Sequence, residues 1–335
     1  MLGSVADSRR ATCEEQELRL SVERALARAT ANGSPVVAIR RRGFPAPTSY
    51  AIEIVTVELE EGDVVEIFLK DFGQSRLPVQ EPAKQREREL GVYTELLDGE
   101  RLGTAQLYGA CWDPAEGRFW LMLEFVDGKP LGDSGFDHWL EAAAWLGRLH
   151  GCFVAQQERL RASGFLERHN VEFFVHAAER ALRALSGLDE TLAQRLQAVL
   201  ACHHAIVAVL ARQPETLVHG SYRPQNLLVV RSPEGSPICP TDWELAGFGR
   251  RAYDLAFVCD GFRPPRLEAL LDAYERGAES CGLPRGDRDE LRHEVACFRL
   301  HKTINSLGHL RQWPRPAQTA AKVVATAEEL AATLA

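Results

Sequence analysis

The sequence predicts an α+β chain, with an N-terminal part of antiparallel strands followed by a longer, mostly helical part. Three observations carry this. Three β-type runs, 36–40, Tyr50–Leu59 and 64–70, follow one another at turn-length spacing, which is the signature of a meander. From Asp137 the apolar spacing becomes helical: Trp139, Ala142, Ala143, Leu146 and Leu149 share one stripe behind Asp137 as cap. Between later helical segments lies a stretch rich in polar signals, LVHGSYRPQNLLVV and then ICPTDWELAGFGRRAYDLA. Its apolar runs Leu227–Val230 and 238–241 flank a Pro- and Gly-containing turn over 231–237, so it reads as a hairpin. His219, Gly220 and Asn226 stand before the first run, and Asp242 ends the second. An Asn and an Asp at the two ends of a hairpin can meet around one divalent cation, and hard oxygen ligands suit Mg²⁺ held against phosphates.

Each element has a local reason. Residues 12–31 carry Leu18, Leu20, Val22, Ala25, Leu26 and Ala29 roughly on one face, and Asn32-Gly33 supplies a stop, as in a packing helix. Arg41-Arg42-Gly43 and residues 45–49 read as a loop. Gly43, Thr48 and Ser49 there are candidates to offer backbone N–H groups to phosphates, with an ordinary hairpin loop as the alternative. Lys70 ends the third strand. A helix over 82–97 follows, carrying Glu87, Glu89 and Tyr93. Residues 102–112 and 118–123 read as another antiparallel pair, leading into a polar, Gly-containing connection. Beyond it, helices are expected near 137–151, 171–187, 189–212, 266–281, 287–308 and 315–334. His150, at a helix end, reads as a packed residue. His203 and His204 are adjacent on a helix, so they point about 100° apart and chelate one ion poorly.

Length and composition set limits. A chain of 335 residues buries a large core, and 45% apolar with 26% charged residues describes an ordinary globular protein. A net charge of −8 argues against nucleic acid as a partner and is compatible with a cationic one. The eight Cys show no C-x-x-C spacing and read as reduced thiols. The first residues, MLGSVADSRR, have no apolar leader core, and no bilayer-length apolar stretch is evident. A cytoplasmic protein without a membrane partner is therefore expected.

His219-Gly220-Ser221, Asn226, Asp242-Trp243-Glu244 and Asp254-Leu255-Ala256 resemble the aminoglycoside phosphotransferase and choline kinase family. That family carries H-G-D-x-x-x-x-N, then I-D-W-E, then D-L-A, a variant of the protein-kinase pattern. The resemblance covers nearly the whole chain from Val36. It implies a two-lobed protein-kinase-like fold, with a nucleotide-binding lobe over 1–123, including the leading helix, and a catalytic and acceptor lobe over 124–335. It implies ATP and Mg²⁺ as cofactors, with Asn226 and Asp242 on the metal. Lys70 would contact the phosphates and pair with Glu89, which stands four residues before Tyr93, with Glu87 as fallback. The loop with Thr48 and Ser49 would cover the phosphates, and the backbone of 123–126, including Glu124 and Val126, would meet the adenine edge. His219 and Asp254 would support the catalytic loop, and Arg223 would be placed to meet a phosphate. Trp313, His301, Lys302 and Asn305 would line an acceptor wall or pack. One position departs from the family: Ser221 stands where the catalytic Asp is expected, and a hydroxyl cannot replace a carboxylate base. The expected activity is phosphoryl transfer to a hydroxyl of a small molecule, cationic or not, or of a peptide. The alternatives are a pseudokinase that binds nucleotide as a scaffold and a transferase that moves AMP.

Overall fold

The computed structural model describes residues 15–27, 35–45, 49–76, 81–100, 102–213, 215–231, 237–310 and 313–334. They form an α+β, protein-kinase-like fold made of two compact units. The first comprises Met1–Gly128 with Cys239–Glu244, and the second Lys129–Ile238 with Leu245–Ala335.

The first unit is built on a five-stranded antiparallel sheet. Its strands are β1 (Val36–Gly43), β2 (Tyr50–Leu59), β3 (Val64–Ser75), β4 (Leu107–Asp113) and β5 (Arg118–Glu124), in the order β1-β2-β3-β5-β4. Helix α1 (15–27) covers one face. Leu18, Val22, Ala25 and Leu26 pack there on Val55, Val57, Ile67, Leu69, Trp120 and Met122. The remainder of the leading helix expected over 12–31 lies outside the described residues, as does Thr48.

Two strands run longer than their apolar patterns suggest. Arg41-Arg42-Gly43 belong to β1 rather than to a loop, because cross-strand charge pairs hold them. Arg41 Nε and Nη2 donate to Glu53 at 2.6 and 3.0 Å, and Arg42 Nη2 donates to Glu66 at 3.3 Å. Lys70 sits inside β3 rather than at its end, opposite Leu121, and Phe72 continues the buried alternation. Conversely, β4 begins at Leu107 and not at 102, since Gly103 turns the chain at φ 73°. The helix after β3 is α2 (Pro82–Gly91), which ends in a π-helical turn over Val92–Leu96.

The chain leaves the first unit through β6 (Gly128–Pro130). Helices α3 (Phe136–Val154), α4 (Gln157–Ala162), α5 (Val171–Ser186), α6 (Glu190–Leu210), α7 (Ala252–Val258), α8 (Arg266–Glu279), α9 (Arg288–Leu307) and α10 (Pro316–Leu334) make up most of the second. It also holds a small sheet of β7 (Glu167–Arg168), β11 (Gly247–Gly249) and β8 (Thr216–Val218), in the order β7-β11-β8. After the loop over 219–226, β9 (Leu227–Val230) precedes β10 (Ile238–Pro240), which stops short of Thr241. The Val230 N–H donates to the Pro237 carbonyl at 2.8 Å.

Helix α3 does not end at His150-Gly151. It continues to Val154, because Gly151 lets it lie against α8. A Cβ on Gly151 would stand 2.9 Å from the Ala278 carbonyl oxygen. Helix α6 corrects a second expectation: by length and a mean hydropathy of 1.2 it is apolar enough to cross a bilayer. Its buried face, from Leu192 to Leu210, packs among α5, α9 and α10 and carries His203 at its centre. The His203 Nε2 lies 3.2 Å from His301 Nδ1, and burial pushes His203 down to about 4 and His301 well below the usual imidazole range. His301 is therefore a core residue and not part of an acceptor wall.

Helices α3 and α8 approach each other through glycines. A Cβ on Gly147 would lie 2.0 Å from the Tyr274 carbonyl oxygen, and one on Gly277 would lie 2.0 Å from that of Ala144. Gly277→Ala is expected to lower stability in urea unfolding by about 2 kcal/mol or more, since rigid backbone must yield. Gly43→Ala, with nothing within 4 Å of its Cβ among the described residues, should change stability by no more than about 0.5 kcal/mol, the usual range for a surface change. Equal effects would show that α3 and α8 can separate cheaply.

Candidate active site

In the first unit the charge converges on Lys70. Its Nζ donates to Glu89 Oε2 at 2.7 Å, Asp242 Oδ1 at 2.8 Å and Glu244 Oε2 at 3.3 Å. The alternation of β3 turns Lys70 inward, and the rings of Tyr50 and Phe72 lie 5.4 and 5.0 Å from its ammonium. Helix α2 starts at Pro82, whose fixed φ suits a first helical position, and delivers Arg88 and Glu89 in its last turn. Arg88 Nη1 donates to the Glu244 carbonyl at 2.7 Å. Neighbouring residues of α2 thus hold both the ammonium and the backbone of the Asp242-Trp243-Glu244 segment. Glu87 is exposed, and the carboxylate at Lys70 is that of Glu89.

Asp242 adopts a left-handed backbone at φ 68°, which Asp tolerates better than most residues. Glu244 is the member of the cluster that sequence reasoning left without a role. The signal was present, since it stands two residues after Asp242.

Three carboxylates around one ammonium leave an excess of negative charge. Burial pushes Glu89 up to about 7; Lys70 opposes this, while Asp242 and Glu244 add to it. Glu244 is raised for the same reasons, burial first. Burial opposes the charge on Lys70, but its three carboxylates outweigh that and hold it well above the usual ammonium range. The directions agree on one picture: Lys70 stays charged, and Glu89 and Glu244 take up a proton readily. Carboxylate oxygens of Glu89, Asp242 and Glu244 lie within 4.8 Å of one another. That donor set fits a hard divalent cation.

The other expected nucleotide contacts are on the same unit. The Glu124 and Phe125 N–H groups are used by the sheet, donating to Gln106 at 2.8 Å and Glu66 at 3.0 Å. Among the described residues Val126 makes no backbone hydrogen bond, so its polar groups are available to a ligand edge. The Ser49 carbonyl accepts the Arg76 N–H at 2.8 Å, and Gly43 is held in β1.

In the second unit the loop after β8 is fixed through its backbone. The N–H groups of His219 and Gly220 donate to Asp254 Oδ2 at 2.6 Å and Oδ1 at 3.0 Å. Gly220 has φ 80°, and a Cβ there would lie 1.8 Å from the Leu245 carbonyl oxygen, so no other residue fits. Asp254 is fully buried on α7. His150 Nε2 lies 3.5 Å from it, and His150 Nδ1 lies 3.0 Å from the Tyr274 hydroxyl. The Thr216 hydroxyl donates to the His150 carbonyl at 3.0 Å. Tyr222 stacks on Trp145 and donates to the Ala142 carbonyl at 2.8 Å.

Within this frame Asn226 Nδ2 donates to the Ser221 carbonyl at 3.0 Å and its hydroxyl at 3.2 Å. Ser221 is almost fully buried, and Arg223 is exposed. Asn226 and Asp242 belong to different units.

A family model described as the phosphotransferase enzyme family matches residues 56–293. Several solved structures share the fold. A choline kinase from Cryptosporidium parvum Iowa II matches with a TM-score of 0.62 at 14% identity, covering 88% of this chain and 90% of that one. The GDP complex of wild-type aminoglycoside 2'-phosphotransferase-IIIa matches with a TM-score of 0.60 at 15% identity, covering 94% and 99%. An amicoumacin kinase in complex with AMP-PNP and Ca²⁺ matches with a TM-score of 0.55 at 14% identity, covering 86% and 88%. No curated protein matches the sequence.

The raised Glu89 has a consequence for stability. Near pH 6 the folded state keeps a proton that the unfolded chain, at about 4.5, has lost. The stability from that proton is full below about 4.5 and is lost as pH rises through about 7. Urea unfolding of the ligand-free protein should therefore show a midpoint that falls between about pH 5 and pH 8, and Glu89→Gln should flatten that fall. An identical slope in both proteins would place the proton elsewhere.

Proposed function

The chain belongs to the phosphotransferase enzyme family, and from that membership we propose that it transfers the γ-phosphoryl group of ATP, with Mg²⁺, to a hydroxyl of a small molecule. The observation that carries this is the buried Lys70–Glu89 ion pair at 2.7 Å with Asp242 on the same ammonium. A buried Lys held by a helix Glu is the device that grips nucleotide phosphates in kinase-like enzymes. The solved relatives hold GDP or AMP-PNP with Ca²⁺, which supports a nucleotide and a divalent ion here.

Asp242 and Asn226 would hold the metal, with Glu244 available beside Asp242. Bound there, Mg²⁺ neutralises charge on the transferring phosphates. Lys70 binds phosphate oxygens once a nucleotide competes with its carboxylates. Val126 offers backbone groups to the adenine edge, and the segment with Thr48 and Ser49 covers the phosphates. His219 and Asp254 keep the loop rigid. We assign nucleotide binding to the first unit and the acceptor to the second.

Ser221 changes the proton chemistry. Its oxygen accepts from Asn226, which leaves its own O–H free to orient an acceptor oxygen and unable to remove a proton. Phosphoryl transfer has a loose transition state in which positioning and charge neutralisation dominate, so loss of the base slows the reaction without abolishing it. The second reading, a nucleotide-binding scaffold, is favoured by this same residue.

Calorimetry should show Mg²⁺-dependent ATP binding that Asp242→Ala weakens by about tenfold or more, the effect of losing one charged contact. ATP consumption compared among wild type, Ser221→Ala and Ser221→Asp then separates the readings. The enzyme reading expects turnover in wild type and, with no acceptor present, a gain of up to ~10²-fold in the basal ATP hydrolysis of Ser221→Asp, in line with a positioned base. Silence in all three proteins, with ATP still bound and a broad acceptor panel present, would sink it in favour of the scaffold.

A further inference from the structure

We propose that the acceptor is an anion: a small molecule whose carboxylate or phosphate is gripped by Arg223 and Lys302, with its hydroxyl turned toward Ser221. This rests on the phosphotransferase reading and specifies its substrate class.

Arg223 and Lys302 come from different elements, the catalytic loop and α9, and meet over one ring. Arg223 Cζ lies 5.6 Å and Lys302 Nζ 5.1 Å from the centroid of Phe257. Among the described residues Arg223 has no carboxylate partner. Lys302 has one, Asp260 at 2.7 Å, whose side chain is 56% exposed, and Arg299 approaches the same carboxylate at 3.8 Å. Arg180 adds a fourth cation. Its Nη2 is bound to Asn305 at 2.7 Å, and among the described residues its buried Nε has no hydrogen-bond partner. Arg180 and Arg223 both act on Tyr253 and on His309, which burial and these two cations lower below the usual imidazole range.

Two other carboxylates act on Tyr253. Asp254 is occupied by the loop N–H groups, and Glu167 lies in β7. The cluster is thus four cations, of which Lys302 and Arg299 share the one carboxylate of Asp260, in a chain whose net charge is −8. The local sign does not follow from composition.

Placement ties the cluster to the reaction. The Arg223 N–H donates to the Ser221 carbonyl at 2.7 Å, and two residues span at most about 7 Å. Helix α7 carries Asp254, which fixes the catalytic loop, and one turn later Phe257, beneath the two cations. One rigid element therefore sets the distance between anion grip and loop. A cationic acceptor such as choline or kanamycin, named for two solved relatives, would meet repulsion here.

The test measures initial rates with ATP and Mg²⁺ on hydroxy acids and sugar phosphates against choline and kanamycin. The anions should be preferred. Lys302→Glu should raise their KM by ~10–100-fold, the loss of a charged hydrogen bond, without raising the KM for ATP, and Lys302→Arg should restore it. Preference for the cations, or a Lys302→Glu effect on ATP instead of the acceptor, overturns the inference. If ATP binds and nothing turns over, calorimetry with inorganic phosphate decides. Binding to wild type but not to Lys302→Glu supports the anion site while the transfer reading fails. Binding to both or to neither overturns it.

Discussion

The first unit depends on one ammonium shared by three carboxylates. A buried Lys is costly unless it is paired, and the same holds for a buried Glu. Lys70 and Glu89 solve each other's problem, but Asp242 and Glu244 then over-fill the site with negative charge. That excess can be relieved in two ways, by a proton or by a further cation. Without a ligand it falls to the proton: burial first, and then the charges of Asp242 and Glu244, push Glu89 up to about 7. A site that must borrow a proton to be comfortable has carboxylate oxygens ready for a metal. The same arrangement needs Arg88 on the Glu244 backbone, so the register of α2 fixes where the Asp242 segment lies.

The second unit depends on backbone held by a buried carboxylate. Asp254 takes two loop N–H groups at once, which fixes the peptide planes of His219 and Gly220 and so the direction of Ser221. Asp254 is in turn approached by His150 on α3, and His150 touches Tyr274 on α8. That contact at 3.0 Å requires α3 and α8 to pack closer than ordinary side chains allow. Gly147, Gly151 and Gly277 supply the closeness. Three glycines remote in sequence from the loop thus set its geometry through a chain of two helices, a His and an Asp.

Much of this was legible in the sequence because motif residues and periodicity report short-range constraints. The spacing of Glu89 to Tyr93 identified the partner of Lys70, and the D-L-A run pointed to Asp254 as a brace. The strand ends were less legible. Arg41, Arg42 and Gly43 look like a loop until the cross-strand Glu53 and Glu66 are known, because that pairing joins residues far apart in sequence. Glu244 was visible as a letter, yet its role depends on the bend at Asp242. For His301 the sequence left an acceptor wall and packing both open. Its burial against His203, ninety-eight residues away, is decided by the packing of α6 on α9. The cations over Phe257 were invisible for the same reason, since three elements bring them together.

Ser221 and the cations over Phe257 bear on each other. An Asp at 221 would place a negative charge two residues from Arg223, where it would both attract that guanidinium and repel an anionic acceptor. A Ser leaves Arg223 free to bind the acceptor and lowers the negative charge of the loop by one. The lost base need not be replaced by the protein. An acceptor that carries its own carboxylate or phosphate brings an oxyanion to the loop, and that oxyanion can take the hydroxyl proton as the hydroxyl oxygen bonds to the γ-phosphorus and the bond to the β,γ-bridging oxygen breaks to release ADP. The departure at 221 and the positive surface beside it are then one adaptation: the charge that the loop gave up is carried in by the substrate.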